Sequence, residues 1–261
     1  MAIVTEPAVY VVGRQQVDDA EVQRFLAYHG AAWETDSEVG GELLSEMGGR
    51  VCYMAFGAKQ GRRTNSEYLG NIMRQRHGSV LEHAVWTFLI TGVSRSLTHE
   101  LVRHRAGWAY SQLSQRYVDE TETDFVEPAV IAADPHLHGI WLESIEATRA
   151  AYVVLSDALA EKLKTEQPEM KATARRKAAR QAARSVLPNA TETKIFVTVN
   201  GRALRHFIEL RGSEDAEPEI RILAVALLRL MSREAPNMFG DFTLRTLADG
   251  SQATEVLHSK V

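Results

Sequence analysis

The chain has 261 residues, of which 45% are hydrophobic and 25% charged, and its formal net charge at pH 7 is −4. This ordinary globular composition predicts one domain with a sizeable core, with two small domains as the alternative. The sequence lacks a signal peptide and any apolar stretch near the roughly 20 residues that span a bilayer, so we expect a cytoplasmic protein without membrane contact. The single cysteine, Cys52, excludes an internal disulfide and a cysteine-based zinc cluster within one chain.

Apolar periodicity predicts helices at residues 19–29, 39–47, 66–76, 97–104, 142–164, 170–184, 202–211 and 218–233. Strands are predicted at residues 84–91 and 194–199, which are rich in β-branched and aromatic side chains. Gly30, Gly48 and Gly78 are predicted to end helices, and Gly92 to end the first strand. The sequence therefore predicts an α+β (mixed α/β) fold: a single helix-rich domain around a β-sheet over residues 1–261.

Residues 95–116 concentrate positive charge, with four arginines against one acid, Glu100. Such a concentration in an acidic chain suggests an anion site. His99 and His104 are five residues apart, whereas the zinc-protease pattern needs a spacing of four to share a helix face, so no metal site is predicted. Glu100, Arg103 and His104 share one face of the predicted helix, where an intrahelical Glu–Arg pair is the alternative to a ligand site.

A second basic segment, residues 171–184, holds six cations and no acid. By itself it indicates a solvated helix face or an RNA-binding helix. Its last residue, Arg184, carries a guanidinium group, which suits phosphate better than other side chains do because its paired donors are permanently charged.

Asn200, Gly201 and Arg202 open the predicted helix 202–211 at the end of a strand. Free N–H groups and the positive helix dipole favour anions or electron-rich rings at such a place. His206 lies one turn further on. Arg211 lies on the helix's apolar stripe, so its charged head must find a partner, and a structural ion pair with Glu214 or Glu217 is one alternative.

Five blocks resemble the flavin-dependent thymidylate synthases and follow that family's order over residues 38–240. The third has one residue more than the family pattern, between Arg105 and Ser111, which we expect Gly107 to absorb in a loop or distorted turn over residues 106–110. The second has Val80 and Leu81 where the family has Pro and Phe. The blocks are Gly49-Arg50-Val51-Cys52-Tyr53, His77 to His83, Arg103-His104-Arg105 with Ser114 and Arg116, Arg184 to Pro188, and Thr198 to Arg211.

The resemblance implies an enzyme that methylates dUMP to dTMP. Its carbon donor would be 5,10-methylenetetrahydrofolate, its cofactor FAD, and its reductant NADPH. It also implies a homotetramer with shared active sites, and no nucleic acid as a partner. The residues that the resemblance places on FAD are Cys52, His77, Ser79, Arg103, His104, Arg105, Gln112, Asn200, Gly201, Arg202 and His206.

For dUMP, the resemblance implies a catalytic Arg211 that stabilises negative charge on the uracil ring. The complete set that it places on the substrate is Glu100, Leu101, Val102, Arg103, Gln112, Leu113, Ser114, Gln115, Arg116, Arg184 and Arg211. Two alternatives stay open. One is a flavin- and folate-dependent transfer of a one-carbon group to another pyrimidine nucleotide, and the other is an RNA-binding protein that uses residues 171–184.

Overall fold

A computed structural model describes residues 2–261 and is 50% helical and 18% strand, which confirms the helix-rich α+β class. The α-helices within these residues are α1 (Asp19–Tyr28), α2 (Gly40–Val51), α3 (Asn65–Arg74), α4 (Arg95–Leu101), α5 (Ala129–Ala132), α6 (Pro135–Glu166), α7 (Ala172–Ala183), α8 (Gly201–Arg211), α9 (Pro218–Glu234) and α10 (Pro236–Phe239). The strands are β1 (Ile3–Val4), β2 (Ala8–Arg14), β3 (Val85–Ser94), β4 (Trp108–Gln112), β5 (Phe125–Val126), β6 (Glu192–Asn200), β7 (Phe242–Thr246) and β8 (Gln252–Val256). Short 3-10 helices lie at Gly57–Lys59, Gly78–His83 and Arg184–Val186.

The main sheet has four strands in the order β2-β3-β6-β4. Two smaller pairs accompany it: β1 runs parallel to β5, and β7 forms an antiparallel hairpin with β8 in which Phe242 faces Val256. Alternate side chains of β3, including Trp86 and Phe88, are buried, as expected for a strand that packs one face against a core.

The chain groups into two compact units. The first unit comprises residues 1–8, 90–102 and 111–195, and the second comprises residues 9–89, 103–110 and 196–261. Strands β3, β4 and β6 each pass from one unit into the other along the chain. The single domain over residues 1–261 stays a prediction.

In the first unit, the long helix α6 packs against α7. Ile145 and Tyr152 are the buried side chains of α6, and Ala179 and Ala183 are those of α7. Small alanine side chains allow α7 to lie close to its neighbour, while its arginines and lysines stay on other faces. The end of α7 therefore holds a fixed position, and Arg184 follows it directly as the C-cap residue.

In the second unit, α8 is held by its apolar stripe. Leu204, Phe207 and Ile208 recur at helical spacing and are fully buried, and α9 packs against this helix. Asn200 caps the N-terminus of α8 by accepting a hydrogen bond from the Ala203 N–H at 2.8 Å, as the sequence indicates. The first turn of α8, which carries several predicted flavin residues, is thereby fixed.

A buried polar cluster joins α2 to α3 in the same unit. Arg50 and Glu46 are at most 1% exposed and are joined at 2.7 Å, and Asn65 donates to the same carboxylate at 2.8 Å. A buried charge pair is tolerated when further hydrogen bonds satisfy it, and here main-chain oxygens such as that of Arg62 supply them. The cluster fixes the ends of both helices near Cys52 and Tyr68.

All eight predicted helices are present, but some of their predicted ends are wrong. Gly30 does follow α1, with φ +58°. Gly48 lies inside α2 and does not end it. A Cβ there would stand 2.8 Å from the His83 ring, so this glycine serves close packing. Gly78 starts a 3-10 helix, since α3 has already ended at Arg74.

Two further corrections affect the arginine-rich segment. Helix α4 ends at Leu101 and not at residue 104, so Arg103 and His104 lie beyond it and the predicted shared helix face with Glu100 is wrong. Strand β3 continues through Gly92, whose N–H donates to the Glu192 carboxylate at 2.9 Å. The predicted loop at residues 106–110 is also wrong in part, because β4 begins at Trp108.

Candidate functional site

A pocket of about 400 Å³ lies within the second unit, which is a volume typical of small-molecule sites. It brings together Cys52, His77, Ser79 and Arg202, four residues predicted for the flavin from distant parts of the chain. All four side chains are exposed. The other lining residues are Gly49, Tyr53, Tyr68, Ile72, Arg76, Gly78 and Val80.

Each side of the pocket is set by a specific element. Cys52 is the C-cap residue of α2, and its Sγ lies 3.4 Å from the Gly48 carbonyl oxygen. Arg76 adopts a left-handed φ of +58° and turns the chain between α3 and the 3-10 helix that carries Ser79. Neither Arg76 nor Tyr68 stands in a sequence motif, so neither was predicted for this site; only the tertiary fold brings them to the pocket.

The N-terminus of α8 supplies Arg202, a cation that lines the pocket. Its Nη1 pairs with the Glu82 carboxylate at 2.7 Å, and both side chains are about half exposed. Ser79, His77 and Arg76 lie on the same pocket. Hydroxyl and guanidinium donors beside a helix N-terminus are well suited to phosphate oxygens, so the donor set fits the phosphates of a dinucleotide such as FAD.

His104 forms the second feature of this unit, because it joins the arginine-rich segment to α8. Nε of Arg211 donates to Nε2 of His104 at 3.1 Å, which requires the unprotonated form of that nitrogen. Burial, followed by the charges of Arg211, His206 and Arg103, lowers the pKa of His104 to about 4. The imidazole is therefore neutral at physiological pH. As a hydrogen-bond acceptor, it orients the guanidinium group of Arg211.

Aromatic side chains fix the His104 ring. It packs edge-on against Phe207 with ring centroids 5.1 Å apart, and Trp108 lies 6.0 Å away. The Tyr110 hydroxyl donates to the His104 carbonyl oxygen at 2.8 Å. Trp108 thus packs on His104 and Phe207 from strand β4. Arg103 and Arg105 are exposed on either side of His104.

The two carboxylates proposed as partners of Arg211 have other roles. Glu214 pairs with Arg245 at 2.6 Å. Glu217 caps α9 by accepting a hydrogen bond from the Ile220 N–H at 3.2 Å.

In the first unit, the predicted dUMP residues after β4 form a tight turn. The N–H groups of Tyr117 and Val118 both donate to the Ser114 carbonyl oxygen, and the Arg116 N–H donates to Ser114 Oγ at 3.4 Å. Within residues 2–261, the buried Nε of Arg116 and Nε2 of Gln115 have no hydrogen-bond partner. Unsatisfied buried donors are costly, and an anion bound there would satisfy them.

Other predicted substrate residues serve the structure. Gln112 donates from Nε2 to the hydroxyls of Thr98 and Thr193 at 3.2 and 3.3 Å. Leu101 is fully buried, whereas Val102 is exposed. Glu100 lies on α4. The main-chain N–H of Leu113 donates to the Lys194 carbonyl oxygen.

Arg95 is a further functional candidate, although no motif predicts a role for it beyond its charge. Its Nη2 donates to the Leu113 carbonyl oxygen at 2.9 Å, and Glu120 lies 3.9 Å away. Burial lowers the pKa of Arg95, Glu120 opposes this, and the charge of Arg184 lowers it further. Two like charges close enough to interact, one of them exposed, are typical of an anion site.

The basic helix α7 is partly used inside the first unit. Lys177 donates to the Tyr117 hydroxyl at 2.9 Å, and Arg180 pairs with Asp119 at 2.5 Å. Lys171 and Arg176 are exposed. Within residues 2–261, no helix is both long and apolar enough to cross a membrane.

A family model described as "Thymidylate synthase complementing protein" matches residues 36–237. The chain belongs to the flavin-dependent thymidylate synthase family. A protein of that name from Mycobacterium sp. (strain JLS) is 53% identical over 222 residues, which cover 84% of this chain and 87% of that relative. Another, from Mycobacteroides abscessus, is 51% identical over 229 residues, covering 87% of this chain and 90% of the relative.

Among solved structures, the chain is similar to the UMP/dUMP methylase PolB from Streptomyces cacaoi, determined with 5-Br dUMP. The TM-score is 0.60 at 20% sequence identity, and the match covers 92% of this chain and 96% of that chain. A second structure of PolB, with 5-Br UMP, matches with the same TM-score. At this identity the likeness shows a shared fold.

Proposed function

We propose that this protein is a flavin-dependent thymidylate synthase, which converts dUMP to dTMP with 5,10-methylenetetrahydrofolate as the carbon donor and NADPH as the reductant of its FAD. The family match over residues 36–237 and relatives at about 50% identity over most of the chain support this activity. The observation in the structure that carries the proposal is the meeting of Cys52, His77, Ser79 and Arg202 on one pocket.

In the proposed mechanism, Ser79 and Arg202 would hold the phosphates of FAD, and His77 and Cys52 would contact its ring system. Asn200 keeps the first turn of α8 in place through its cap to the Ala203 N–H. The chemistry that reduced FAD would supply at this site is the hydride of the new methyl group. Because the hydride comes from the cofactor, the chemistry needs no enzyme thiolate.

For dUMP, we propose that Arg184 and Arg116 bind the phosphate with Ser114, and that Arg95 strengthens the positive potential there. Arg211 would face the uracil ring and stabilise the negative charge that forms when the ring nitrogen loses its proton. His104 supports this step, because a neutral acceptor at 3.1 Å orients the Arg211 guanidinium without protonating at physiological pH. The remaining predicted residues would contribute main-chain or packing contacts.

We further propose a cytoplasmic homotetramer with shared active sites that does not bind nucleic acid. The engagement of Lys177 and Arg180 within the first unit supports the view that α7 is chiefly structural. A gel-shift titration with RNA tests the alternative, and a shift at physiological salt would favour an RNA-binding role.

A second acceptor, UMP, is the other candidate function. The fold is shared with a protein whose name covers both UMP and dUMP. The two nucleotides differ only in the ribose 2′-hydroxyl. We expect turnover with dUMP and not with UMP, measured by the nucleotide product formed from each under the same conditions.

The flavin part of the proposal has a direct test. The purified protein, reconstituted with FAD and freed of excess cofactor, should show the visible absorption of bound flavin, and NADPH should bleach it under anaerobic conditions. A colourless protein after reconstitution would overturn the proposed function.

A further inference from the structure

Residues 257–261, which we call the strap, follow β8 and return to α8 within the second unit. The Lys260 N–H donates to Oε2 of Glu209 at 3.1 Å, and the Ser259 hydroxyl donates to the other oxygen of this carboxylate. Glu209 lies on α8, so one side chain of that helix holds two consecutive residues of the strap. Val261 at its end is 8% exposed.

The strap reaches the predicted flavin pocket through Arg202. Nε of Arg202 donates to the main-chain oxygen of Val261 at 3.3 Å, while Nη1 pairs with Glu82 at 2.7 Å. Within residues 2–261, Nη2 of Arg202 makes no hydrogen bond, so its donors stay available. The guanidinium is thus held from two sides and still lines the pocket.

Gly78 and Lys260 have the local backbone features that let the strap lie close to Arg202. A Cβ on Gly78 would stand 2.4 Å from the Val261 carbonyl carbon and 3.1 Å from Nε of Arg202, so only glycine lets the strap lie there. Lys260 adopts φ +55°, a left-handed conformation that non-glycine residues hold when surrounding contacts impose it. Both features indicate that the strap has one specified position against Arg202.

We propose that the strap is a positioning segment for FAD binding and that Glu209 is its anchor. Glu209 does not line the pocket; it acts through the strap and Arg202. A long arginine side chain loses rotamer freedom when it binds a ligand, and holding it beforehand reduces that loss and tightens binding. The inference rests on the proposed function, and the strap lies beyond residue 237, where the family match ends.

The test measures the dissociation constant of FAD, by quenching of flavin fluorescence, for the full chain and for Arg202→Ala, Glu209→Ala and the double variant. We expect Glu209→Ala to weaken FAD roughly five- to tenfold, and to have no further effect once Arg202 is alanine, because coupled residues are non-additive. Glu209→Gln, which keeps one acceptor oxygen, should recover part of the affinity.

A matched control is Glu255→Ala, which removes an exposed carboxylate of β8 that pairs with Arg245 at 2.7 Å and should leave FAD binding unchanged. Should Glu209→Ala fail to fold by circular dichroism, Ser259→Ala carries the test, and an unchanged FAD affinity there overturns the inference.

The outcomes separate the two proposals. A parent chain that does not bind FAD overturns the proposed function together with the strap. A parent that binds FAD, with Arg202→Ala weakened but Glu209→Ala unchanged, overturns the strap alone. Additive losses in the double variant also overturn it, because Glu209 would then act by a route other than Arg202.

Discussion

Arg184 and Arg95 are two like charges close enough to interact in the first unit. Arg184 is exposed at the end of α7, and its charge lowers the pKa of half-buried Arg95. Such repulsion disfavours the free protein and is relieved when an anion binds. This repulsion supports our proposal that the phosphate of dUMP binds at this part of the chain.

We predict that Arg184→Ala weakens dUMP binding by roughly 1.5 to 3 kcal/mol, the usual loss for one charge-assisted hydrogen bond, and leaves the bound flavin content unchanged. Equilibrium titration of dUMP into the flavin-loaded protein measures the change in dUMP affinity. The ratio of flavin to protein absorbance measures the bound flavin content. Arg176→Ala removes an exposed charge from the same helix and serves as the control. An equal loss in both variants would indicate a general effect of charge.

His104 makes stability depend on pH in a defined window. Its pKa in the folded protein is about 4, below the ordinary value of 6.5, so between these values the unfolded chain binds more protons. Stability that is complete above pH 6.5 is therefore lost as the pH falls towards 4. After discounting for partial exposure, the contribution is about 2 kcal/mol.

We predict that His104→Gln, which keeps an acceptor for Arg211 but does not titrate, loses less stability than the parent over this range. Urea unfolding at several pH values between 4 and 7 measures the difference in the slopes. Parallel curves for the two proteins would show that His104 is not held neutral by the fold.

At the scale of elements, Gly107 connects the arginine-rich segment to α8. Its φ is +75°, and a Cβ would stand 2.5 Å from Nδ2 of Asn200, the α8 cap. The Gly107 carbonyl oxygen also accepts a hydrogen bond from the Asn200 N–H at 3.0 Å. The turn at Gly107, where we expect the added residue of the third block to be absorbed, thus packs on the N-terminus of α8.

We predict that Gly107→Ala destabilises the fold by about 1 to 3 kcal/mol and weakens FAD, because it displaces Asn200 as well as straining the backbone. Thermal unfolding and FAD titration give the two values. Gly250→Ala is the matched control: Gly250 has φ +82° but nothing within 4 Å of a Cβ, so it reports the backbone strain alone. Equal losses in the two variants would argue against the Asn200 contact.

The sequence predicted the long elements because their apolar periodicity is strong, as in α8 and α9. Element ends failed where tertiary contacts decide them. Gly48 lies within α2, where it leaves room for the His83 ring. Helix α6 begins earlier than predicted, at Pro135, with Asp134 accepting from the His136 N–H at 2.8 Å. Short strands such as β1 and β5 contain two residues each, too few for any periodicity.

The candidate site was predictable where a motif carries the chemistry, as for His77, Ser79 and Arg202. Arg76 and Tyr68 reach the same pocket from outside any motif, and only the packing of α2 on α3 and the turn at Arg76 brings them there. The strap was equally hidden, because its contribution is a main-chain oxygen, which no residue type reveals.

At the scale of the whole molecule, the predicted ligand sets divide between the units. Apart from Gln112, the residues predicted for FAD lie in the second unit. Of the predicted substrate residues, Ser114, Arg116 and Arg184 lie in the first unit, whereas Arg103 and Arg211 lie in the second. A proposed homotetramer with shared sites can then combine sets from different chains.

We predict that co-refolded Arg184→Ala and Ser114→Ala chains recover part of the activity that each variant alone has lost, because a shared site can draw intact residues from both. Turnover of the mixture, compared with the two separate proteins, measures the recovery. Subunit exchange is verified with differently tagged chains. Absence of recovery after proven exchange would indicate that each chain builds its own site.

The central claim, flavin-dependent methylation of dUMP, is tested most directly by identifying the nucleotide product. The FAD-loaded protein is incubated anaerobically with dUMP, 5,10-methylenetetrahydrofolate and NADPH. The nucleotides are then separated and identified by mass spectrometry. We expect dTMP in the complete mixture and none when FAD, the folate or NADPH is left out. Unchanged dUMP in the complete mixture with flavin fully bound, or dTMP formed equally without flavin, would contradict this account.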